Sequence, residues 1–281
     1  MKTDRRLWLK FLAAAPLAAA LPALADGLAA VRERGRLRIA VYNDFPPYSM
    51  AGGKGIDADL GRAIAARLGL APEVVGYNAD EDMNDDLRNM VWKGHYLGTP
   101  PADVMLHVPV DEHLAKANDK VRIFGAYHRE TLALARNPQR VPVLSGSAAV
   151  ALEIFTREKV GVETATLADS FLLGVMNGRL RDNVVHFKTV ADAANGLADG
   201  RVAAVLAPRA ELEAALRGKE GFVLERPQLA ELKIEGWPLG MAVKVEDAEL
   251  AEAIAKALAE LKEDGTLAGI FRKHGISHQP A

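Results

Sequence analysis

The sequence predicts an α/β fold of two lobes, each built on a mainly parallel sheet with helices on both faces. The first observation is an alternation of short apolar runs with helical patterns, which is typical of parallel strands joined by helices. The second is size, because 281 residues can bury two ordinary cores. The third is composition, since 49% hydrophobic and 26% charged residues are ordinary for a globular protein.

The chain begins with the pattern of an export signal. Residues 1–25 combine a basic start, an apolar middle of Ala and Leu, and a small-x-small cleavage site. Arg5 and Arg6 with the residues that follow resemble the twin-arginine export pattern, and plain Sec export is the alternative. No apolar run beyond residue 25 is long enough to span a bilayer. We therefore expect a periplasmic protein without membrane insertion.

Charge and cysteine usage exclude several classes of function. Residues 1–25 hold four basic side chains and one acidic side chain, so their removal would change the formal net charge from −2 to −5. An acidic chain without a basic patch is not expected to bind nucleic acid. Because the sequence has no cysteine, we expect no disulfide, thiolate nucleophile, Cys-ligated metal or lipid-anchored N-terminus. No cofactor is expected either.

Two further patterns fall short of a metal site. Residues 80–86, DEDMNDD, lack the alternating ligand spacing and the terminal Glu of an EF-hand, so they predict a solvated region at a helix start. His95, His107 and His113 are not at the i, i+4 spacing of a helical zinc site. No metal is therefore expected. His107 lies within an apolar strand pattern, which predicts a hydrogen-bonded core or cleft residue.

The clearest local signals lie in residues 36–70. Residues 37–41 have the pattern of a buried strand. Pro46 and Pro47 prevent its continuation, because each lacks a backbone N–H donor. Phe45 and Tyr48 are thereby placed in a stiff, turn-rich loop. Aromatic side chains in such a loop face a cleft or cap a core.

A helix pattern follows this loop. Asp57 or Asp59 is predicted to cap the helix. Its apolar side chains recur at helical spacing, and Gly69 stands where a left-handed residue ends a helix. Strand, loop and helix together form the first half of a βαβ unit. The same order recurs twice between residues 160 and 206.

These residues resemble the opening of the periplasmic solute-binding proteins of polar amino-acid ABC transporters. In that family a short strand, an aromatic-Pro-Pro-aromatic loop, a Gly-Asp segment and an Ala-rich helix ending in Leu-Gly-Leu follow in this order. The counterparts here are residues 42–48, 55–59 and 64–70. Residues 237–244 and 266–276 further resemble the family's return strand and closing helix.

The resemblance implies a two-lobe, type II periplasmic binding-protein fold with a two-strand hinge. Residues 26–131 together with 236–281 would form lobe 1, and residues 132–235 would form lobe 2. Proteins of this architecture close around a ligand by hinge motion. Because ligands lie beyond the carboxyl ends of the strands in such sheets, we expect the facing loops of the two lobes to form a cleft.

Six residues are predicted to line this cleft. One wall would carry side chains of the aromatic loop and of the strand 103–108, and the other would offer backbone N–H groups at a helix start. The alternative for the two aromatic residues is a role as core caps. The predicted cleft residues are Asn43, Phe45, Tyr48, His107, Thr164 and Thr166.

The charged side chains by which the family holds an amino acid are missing. The resemblance implies an Arg for the α-carboxylate in a turn where residues 110–113 read Val-Asp-Glu-His. It also implies an Asp for the α-ammonium where residues 201–208 contain no acidic side chain. Without these partners a buried zwitterion would lack roughly several kcal/mol of stabilisation. Ordinary amino acids are therefore not expected as ligands.

Residues 86–98 and 102–111 resemble a particular branch, the binding-protein-like partners of periplasmic quinoprotein alcohol dehydrogenases, of the MxaJ/XoxJ type. The resemblance implies an accessory protein, not an enzyme. It would act by protein–protein contact in the maturation or activation of a pyrroloquinoline-quinone (PQQ)-dependent methanol or alcohol dehydrogenase, with that enzyme's cytochrome c as a further candidate partner. His95, Tyr96 and Leu97, in a loop with two prolines, would bind the partner.

Two alternatives stay open. The first is the solute-binding component of an ABC transporter for a small organic solute other than a standard amino acid. The second is an enzyme on this fold of the cyclohexadienyl-dehydratase type. Such an enzyme needs a general acid in the cleft, where only His107, His113 or Glu163 could serve. We expect no catalytic residue.

Overall fold

A computed structural model describes residues 27–229, 231–233 and 236–281. The predicted export signal, residues 1–25, lies outside the described residues. The strands are β1 (Arg36–Tyr42), β2 (Asp44–Phe45), β3 (Ser49–Met50), β4 (Ala71–Tyr77), β5 (Val104–Pro109), β6 (Val121–Arg136), β7 (Val160–Glu163), β8 (Val184–Phe187), β9 (Ala204–Pro208), β10 (Val223–Glu225) and β11 (Gly236–Lys244). The helices are α1 (Leu28–Arg34), α2 (Ile56–Arg67), α3 (Met83–Leu87), α4 (Glu112–Ala117), α5 (Ala148–Ala151), α6 (Leu167–Gly174), α7 (Val190–Ala198), α8 (Arg209–Ala215), α9 (Ala248–Glu263) and α10 (Thr266–Lys273).

The main strands form one long sheet in the order β4-β1-β5-β11-β6-β9-β7-β8, and β10 pairs with β6. At one end β1 runs parallel to β4 and β5, and at the other β7 runs parallel to β8 and β9. In the middle, β11 runs antiparallel to both β5 and β6, and β6 runs antiparallel to β9. The predicted α/β class is confirmed, with one parallel set of strands in each lobe and an antiparallel pair between them.

β6 is a continuous strand of 16 residues that runs through both lobes. Its first part pairs with β11 and its last part with β9. The sequence predicts short extended runs at 121–124 and 131–135, on either side of Tyr127 and His128. Both runs are parts of the one strand, because β11 pairs with residues between them as well. The lobe boundary at residues 131 and 132 stays a prediction.

Each lobe has its own hydrophobic core. In lobe 1, α2 and α9 pack on β1 and β11, and Ile64 and Phe271 belong to this core. In lobe 2, Phe155 and Leu172 pack with β7. Burial of one such side chain contributes roughly 1.5–3 kcal/mol, so packing can hold the fold without a disulfide. Trp237 on β11 packs against both cores and joins them.

The start of α2 requires a glycine. Gly55 is the N-cap, with a φ of 113°, and a Cβ atom there would lie 2.3 Å from the carbonyl oxygen of Tyr48. The predicted cap by Asp57 or Asp59 is wrong, because no side chain caps this helix. Asp57 is fully buried and belongs to the site described below. The predicted left-handed residue after the helix is confirmed at Gly69, with a φ of 70°.

Candidate functional site: two adjoining cavities

A small hairpin carries the aromatic loop. β2 and β3 pair antiparallel, with Phe45 opposite Ser49, so the two prolines lie in the turn. Phe45 stacks on Tyr48 with ring centroids 5.9 Å apart and planes 23° apart. Tyr48 is 1% exposed, and its hydroxyl donates to Glu130 Oε2 at 2.5 Å. Tyr48 is therefore a core residue that supports the partly exposed ring of Phe45.

A β-bulge turns His107 out of the sheet. β11 pairs Met241 and Gly240 with the two neighbours of His107, so His107 itself has no partner in this ladder. Its φ is 65°, which is unusual for a residue with a Cβ atom. A Cβ at Gly240 would lie 2.5 Å from the carbonyl oxygen of Phe124, so only glycine allows this close approach. Bulges of this kind re-aim side chains beside functional sites.

A buried carboxylate fixes the ring of His107. Nδ1 of His107 lies 3.1 Å from Asp57 Oδ2, and the hydroxyl of Tyr127 donates to Asp57 Oδ1 at 2.6 Å. Asp57 and Tyr127 are fully buried, and His107 is 8% exposed. Burial, with Asp57 close by, raises the pKa of Tyr127 well above its usual value, so the phenol keeps its proton. Because a carboxylate only accepts, the proton of this contact lies on Nδ1 of His107, and in the neutral imidazole Nε2 is then the acceptor nitrogen.

His107 lines a cavity of about 390 Å³, which we call the aromatic cavity. Its ring lies edge-on to those of Phe45 and Tyr48, at centroid distances of 4.6 and 4.3 Å. The hydroxyl of Tyr42 donates to Asp86 Oδ2 at 2.6 Å, and burial raises the pKa of Tyr42 far above its usual value, so this phenol stays uncharged. The lining residues are Tyr42, Asp44, Phe45, Asn78, Ala79, Met83 and His107.

A second cavity, of about 420 Å³, lies between the lobes and shares Asp44 and Phe45 with the first. We call it the acidic cavity, because three carboxylates line it and, within the described ranges, no Lys or Arg does. Burial, then the nearby Glu163 and Glu130, raise the pKa of Glu211 well above its usual value. Burial also raises the pKa of Glu163. The lining residues are Asp44, Phe45, Pro46, Glu163, Thr189, Val190, Ala191, Glu211, Ala214 and Ala215.

The predicted cleft residues of lobe 1 lie near one another. Phe45 and His107 both line the aromatic cavity. Asn43 is close by, but its amide donates to Asn78 Oδ1 at 2.9 Å and it lines a smaller cavity of about 180 Å³. Tyr48 lies behind Phe45 in the core. Two of the four thus reach the main cavities directly.

The predicted residues of lobe 2 line neither main cavity. The backbone N–H and the hydroxyl of Thr164 both donate to the carbonyl oxygen of Phe187, each at 3.1 Å. Thr166 is the N-cap of α6, where its hydroxyl oxygen accepts from the N–H of Asp169 at 3.2 Å. These polar groups are therefore used inside lobe 2, and Glu163, just before them, lines the acidic cavity instead.

Three carboxylates of the site have little or no signal in the sequence. Asp44 has a weak signal, because it lies between Asn43 and Phe45 in the aromatic loop. Asp57 is recognised only as a possible helix cap, and its pairing with His107 has no local signal. Glu211 lies in a helical pattern, and only its place in the folded chain distinguishes it from other Glu residues.

The loop predicted to bind a partner is exposed. The side chains of Tyr96 and Leu97 are 85% and 74% exposed. The His95 ring lies 4.4 Å from that of Tyr96, and the His95 N–H donates to the carbonyl oxygen of Thr99 at 2.9 Å. The loop is thus closed by its own hydrogen bond and presents two large apolar side chains to solvent.

The acidic residues 80–86 take part in local structure. Asp82 caps α3 by accepting from two backbone N–H groups, and Asp86 accepts from Tyr42 and from the N–H of Asp80. Among the described residues, no three His, Cys, Asp or Glu side chains converge as a metal site. In the same part of the chain, no helix is both long and apolar enough to span a membrane.

Two α/β lobes, a central antiparallel pair of strands and a cavity between the lobes are the features of the two-lobe periplasmic solute-binding protein fold. An ancestral cationic amino acid solute-binding protein matches with a TM-score of 0.66 and 21% identity, over 87% of this chain and 97% of that chain. An ancestral arginine-binding protein bound to arginine matches with a TM-score of 0.58 and 26% identity, over 85% and 98% of the two chains.

A third solved structure is an amino acid ABC transporter substrate-binding protein from Streptococcus pneumoniae bound to L-arginine. It has a TM-score of 0.60 and 17% identity, over 90% of this chain and 98% of that chain. No protein-family model matches the chain, and no curated protein matches its sequence. The predicted fold is thereby confirmed, and the resemblance to the quinoprotein-associated branch stays a prediction.

Proposed function

We propose that the chain is a periplasmic solute-binding protein that takes a small organic solute, other than a standard amino acid, in the cleft between its lobes. The observation that carries this proposal is the pair of adjoining cavities, of about 390 and 420 Å³, that meet at Asp44 and Phe45. Small-molecule sites are concave and mostly apolar, with a few placed polar groups. Both cavities fit that description.

The charges around the cavities argue against a standard amino acid. Within the described ranges no Arg or Lys lines either cavity, so an α-carboxylate would have no charged partner. In the turn where the family resemblance implies an Arg, Asp111 caps α4 by accepting from the N–H of Leu114 at 2.8 Å. The arginine bound by some structural neighbours is therefore not an expected ligand.

A thermal-shift screen followed by calorimetry tests this proposal. The processed chain is screened against cationic, neutral and anionic small solutes, and at least one is expected to raise its melting temperature. A solute at 100 times its Kd adds about 2.7 kcal/mol of stability. The shift should be lost in Phe45→Ala and kept in Tyr96→Ala, because Tyr96 is exposed outside the cavities. No shift with any solute, or tight capture of a standard amino acid, would contradict the proposal.

We further propose that the chain binds its solute without converting it. One neighbour, at 20% identity and a TM-score of 0.57, is an ancestral amino-acid-binding protein that is a precursor of cyclohexadienyl dehydratase. The general acids or bases to test are therefore His107, which lines the aromatic cavity, and Glu163, which lines the acidic cavity. Mass spectrometry should recover the bound solute unchanged. A product that forms with the wild type and not with His107→Gln or Glu163→Gln would overturn this view.

A second candidate function is that of an accessory protein of a PQQ-dependent methanol or alcohol dehydrogenase. The observation that favours it is the exposed pair Tyr96 and Leu97, because adjacent exposed apolar side chains mark contact sites. In a pull-down from periplasmic extract, the double variant Tyr96→Ala, Leu97→Ala should lose the dehydrogenase. Val245→Ala, at another exposed position, should retain it. Equal retention by both variants would exclude this role for the loop.

A further inference from the structure

We infer that the solute of this cleft is an organic amine, bound as a cation, with its ammonium group in the acidic cavity and its apolar body in the aromatic cavity. This inference rests on the proposed function, because it names the chemical class of solute for the same site. It is carried by the charge of the lining residues, the arrangement of the carboxylates, the apolar wall at Phe45 and the free ring nitrogen of His107.

The charge of the residues that line the acidic cavity favours a cationic ligand. Asp44 belongs to lobe 1, and Glu163 and Glu211 belong to lobe 2, so the acidic cavity has carboxylates on both of its sides. In the part of the chain that the structure describes, neither cavity is lined by a Lys or an Arg. Such a cavity attracts a cation and repels a carboxylate, and it does so before the lobes close.

The two lobe 2 carboxylates, Glu163 and Glu211, differ in whether the protein already supplies a hydrogen bond to them. Glu163 Oε2 accepts from the N–H of Val190 at 3.1 Å. Glu211, which is partly buried, has no hydrogen bond or ion pair with any described residue. A carboxylate withdrawn from water without a partner is unfavourable. An ammonium group would supply charge-assisted hydrogen bonds to it, which are about twice as strong as neutral ones.

The arrangement of the carboxylates favours an organic cation over a metal ion. Within the described ranges, the carboxylates of the acidic cavity do not converge with other His, Asp or Glu side chains as a metal site. A metal ion needs several ligand atoms at about 2.0–2.6 Å. An organic ammonium group is satisfied by hydrogen bonds to one or two carboxylates. The arrangement therefore suits the larger cation.

An apolar wall at Phe45 runs from one cavity into the other. Phe45 lines both cavities, so a ligand that occupies both must pass its ring. Tyr42 and Met83 continue this surface in the aromatic cavity. An ammonium group over an aromatic face gains about 0.5–2 kcal/mol, and a hydrocarbon body gains by burial. A compound with an apolar body and one charged end matches an aromatic cavity that adjoins an acidic one.

His107 offers one directional hydrogen-bonding group to a ligand in the aromatic cavity. Nδ1 of His107 is held by Asp57, and Nε2 has no hydrogen-bond partner among the described residues. The His107 side chain is 10% exposed, and it lines the aromatic cavity. In the neutral imidazole Nε2 accepts a hydrogen bond from a hydroxyl or N–H group. The structure therefore favours an amine whose apolar end carries a hydrogen-bond donor.

Calorimetry with four matched compounds tests the class. Tyramine carries an ammonium group and a phenol, 2-phenylethylamine lacks the phenol, 2-(4-hydroxyphenyl)ethanol lacks the charge, and L-tyrosine adds an α-carboxylate. A parallel aliphatic series uses 5-amino-1-pentanol, pentylamine, 1,5-pentanediol and L-6-hydroxynorleucine. In at least one series the hydroxylated amine should bind at least tenfold more tightly than the neutral and the carboxylated compounds, and several times more tightly than the amine without a hydroxyl.

Two carboxylate variants locate the effect. Glu211→Gln and Glu163→Gln should each weaken amine binding at least tenfold and leave the neutral compounds unchanged. Glu220→Gln removes an exposed carboxylate outside the cavities and should bind like the wild type. Urea midpoints are measured first, and Glu163→Gln carries the test if Glu211→Gln does not fold. Wild-type amine affinity in the folded Gln variants would overturn the inference.

The outcomes separate this inference from the function on which it rests. If neutral or anionic solutes bind and amines bind no more tightly than they do, the inference is wrong and solute binding stands. If no solute of any charge class binds, solute binding itself is wrong. Amine binding that depends on Glu163 and Glu211 supports both.

Discussion

Tyr127, on the strand that runs through both lobes, donates a hydrogen bond of 2.6 Å to the buried carboxylate of Asp57. The second oxygen of the same carboxylate holds the ring of His107, which lines the aromatic cavity. Asp57 therefore connects the central strand β6 to the wall of the cavity. A solute that displaces His107 must also disturb its contact with Asp57, the acceptor of the hydrogen bond from Tyr127.

Asp57→Asn should lower the free energy of unfolding by about 1–3 kcal/mol, because it leaves a buried donor without an acceptor. The amide oxygen can accept from Tyr127, and its NH₂ group then faces Nδ1 of His107, which can accept only after its proton has moved to Nε2. Urea unfolding followed by circular dichroism should show a lower midpoint with an unchanged slope.

Tyr127→Phe is the graded control for this change. It removes a single hydrogen bond and leaves the contact between Asp57 and His107, so a smaller loss of about 0.5–1.5 kcal/mol is expected. An Asn variant that unfolds at the wild-type urea concentration would show that Asp57 does not depend on both partners.

Tyr48→Phe should also destabilise the protein, by about 1–3 kcal/mol, because it removes a donor from a buried carboxylate. Glu130 is 2% exposed, and Tyr48 is the partner of its Oε2 at 2.5 Å. Its Oε1 accepts from the N–H groups of Thr131 and Arg209, at 2.8 and 3.1 Å. Glu130 thus ties the aromatic loop of lobe 1 to the start of α8. Urea unfolding measures the loss.

Tyr96→Phe is the control for Tyr48→Phe, since it removes a hydroxyl from a side chain that is 85% exposed. Its urea midpoint should equal that of the wild type. Equal midpoints for both variants would mean that the bond between Tyr48 and Glu130 adds nothing to stability.

The sequence predicts lobe 1 well where the signals are local. The two prolines lie in the turn after β1, Gly69 follows α2 with a positive φ, and Ile64 is buried on the face that the helical spacing indicates. Each of these features depends on residues nearby in the chain. Phe45 and His107 were identifiable for the same reason, since a loop aromatic and a histidine in an apolar strand stand out locally.

The parts that the sequence does not predict depend on distant partners. β6 is one strand because β11 pairs with it from the far end of the chain. Asp57 belongs to the site because it contacts Tyr127 and His107, and no sequence pattern around Asp57 indicates either contact. Glu211 meets Glu163 only through the packing of lobe 2. Pairing across the fold, not local propensity, decides these features.

Gly240→Ala should destabilise the bulge by about 1–3 kcal/mol, because the added methyl group overpacks a closed site. Its Cβ would lie 2.5 Å from the carbonyl oxygen of Phe124 and 2.5 Å from Val110 Cγ2. Displacement of the strand would also move His107, so binding at the aromatic cavity should weaken. Urea unfolding and calorimetry check the two effects.

Gly269→Ala is the matched control for this change. Gly269 lies inside α10, and a Cβ there meets nothing closer than an Arg272 side-chain nitrogen at 3.8 Å. Alanine should therefore stabilise the helix by about 0.5–1 kcal/mol. A Gly240→Ala variant as stable as the wild type would show that β6 and β11 can separate at this point without loss.

Glu211→Gln should make stability less dependent on pH. Burial, then Glu163 and Glu130, raise the pKa of Glu211 well above its ordinary value of 4.5. Between 4.5 and the raised value, the folded protein binds more protons at this group than the unfolded chain does. The free energy of unfolding therefore falls as pH rises through this window. Glutamine does not titrate, so the free energy of unfolding of the variant does not fall for this reason.

Thermal unfolding at pH 4 and at pH 8 measures the difference between variant and wild type. At pH 4 the two should melt at similar temperatures, because Glu211 is mostly protonated in both the folded and the unfolded states. At pH 8 the variant should melt higher, by about 2–4 °C for each kcal/mol of relief. Glu220→Gln, at an exposed position, should follow the wild type at both pH values. If the Glu211→Gln advantage is the same at both pH values, Glu211 is not withdrawn from water, and the acidic cavity has no uncompensated carboxylate for an ammonium group to satisfy.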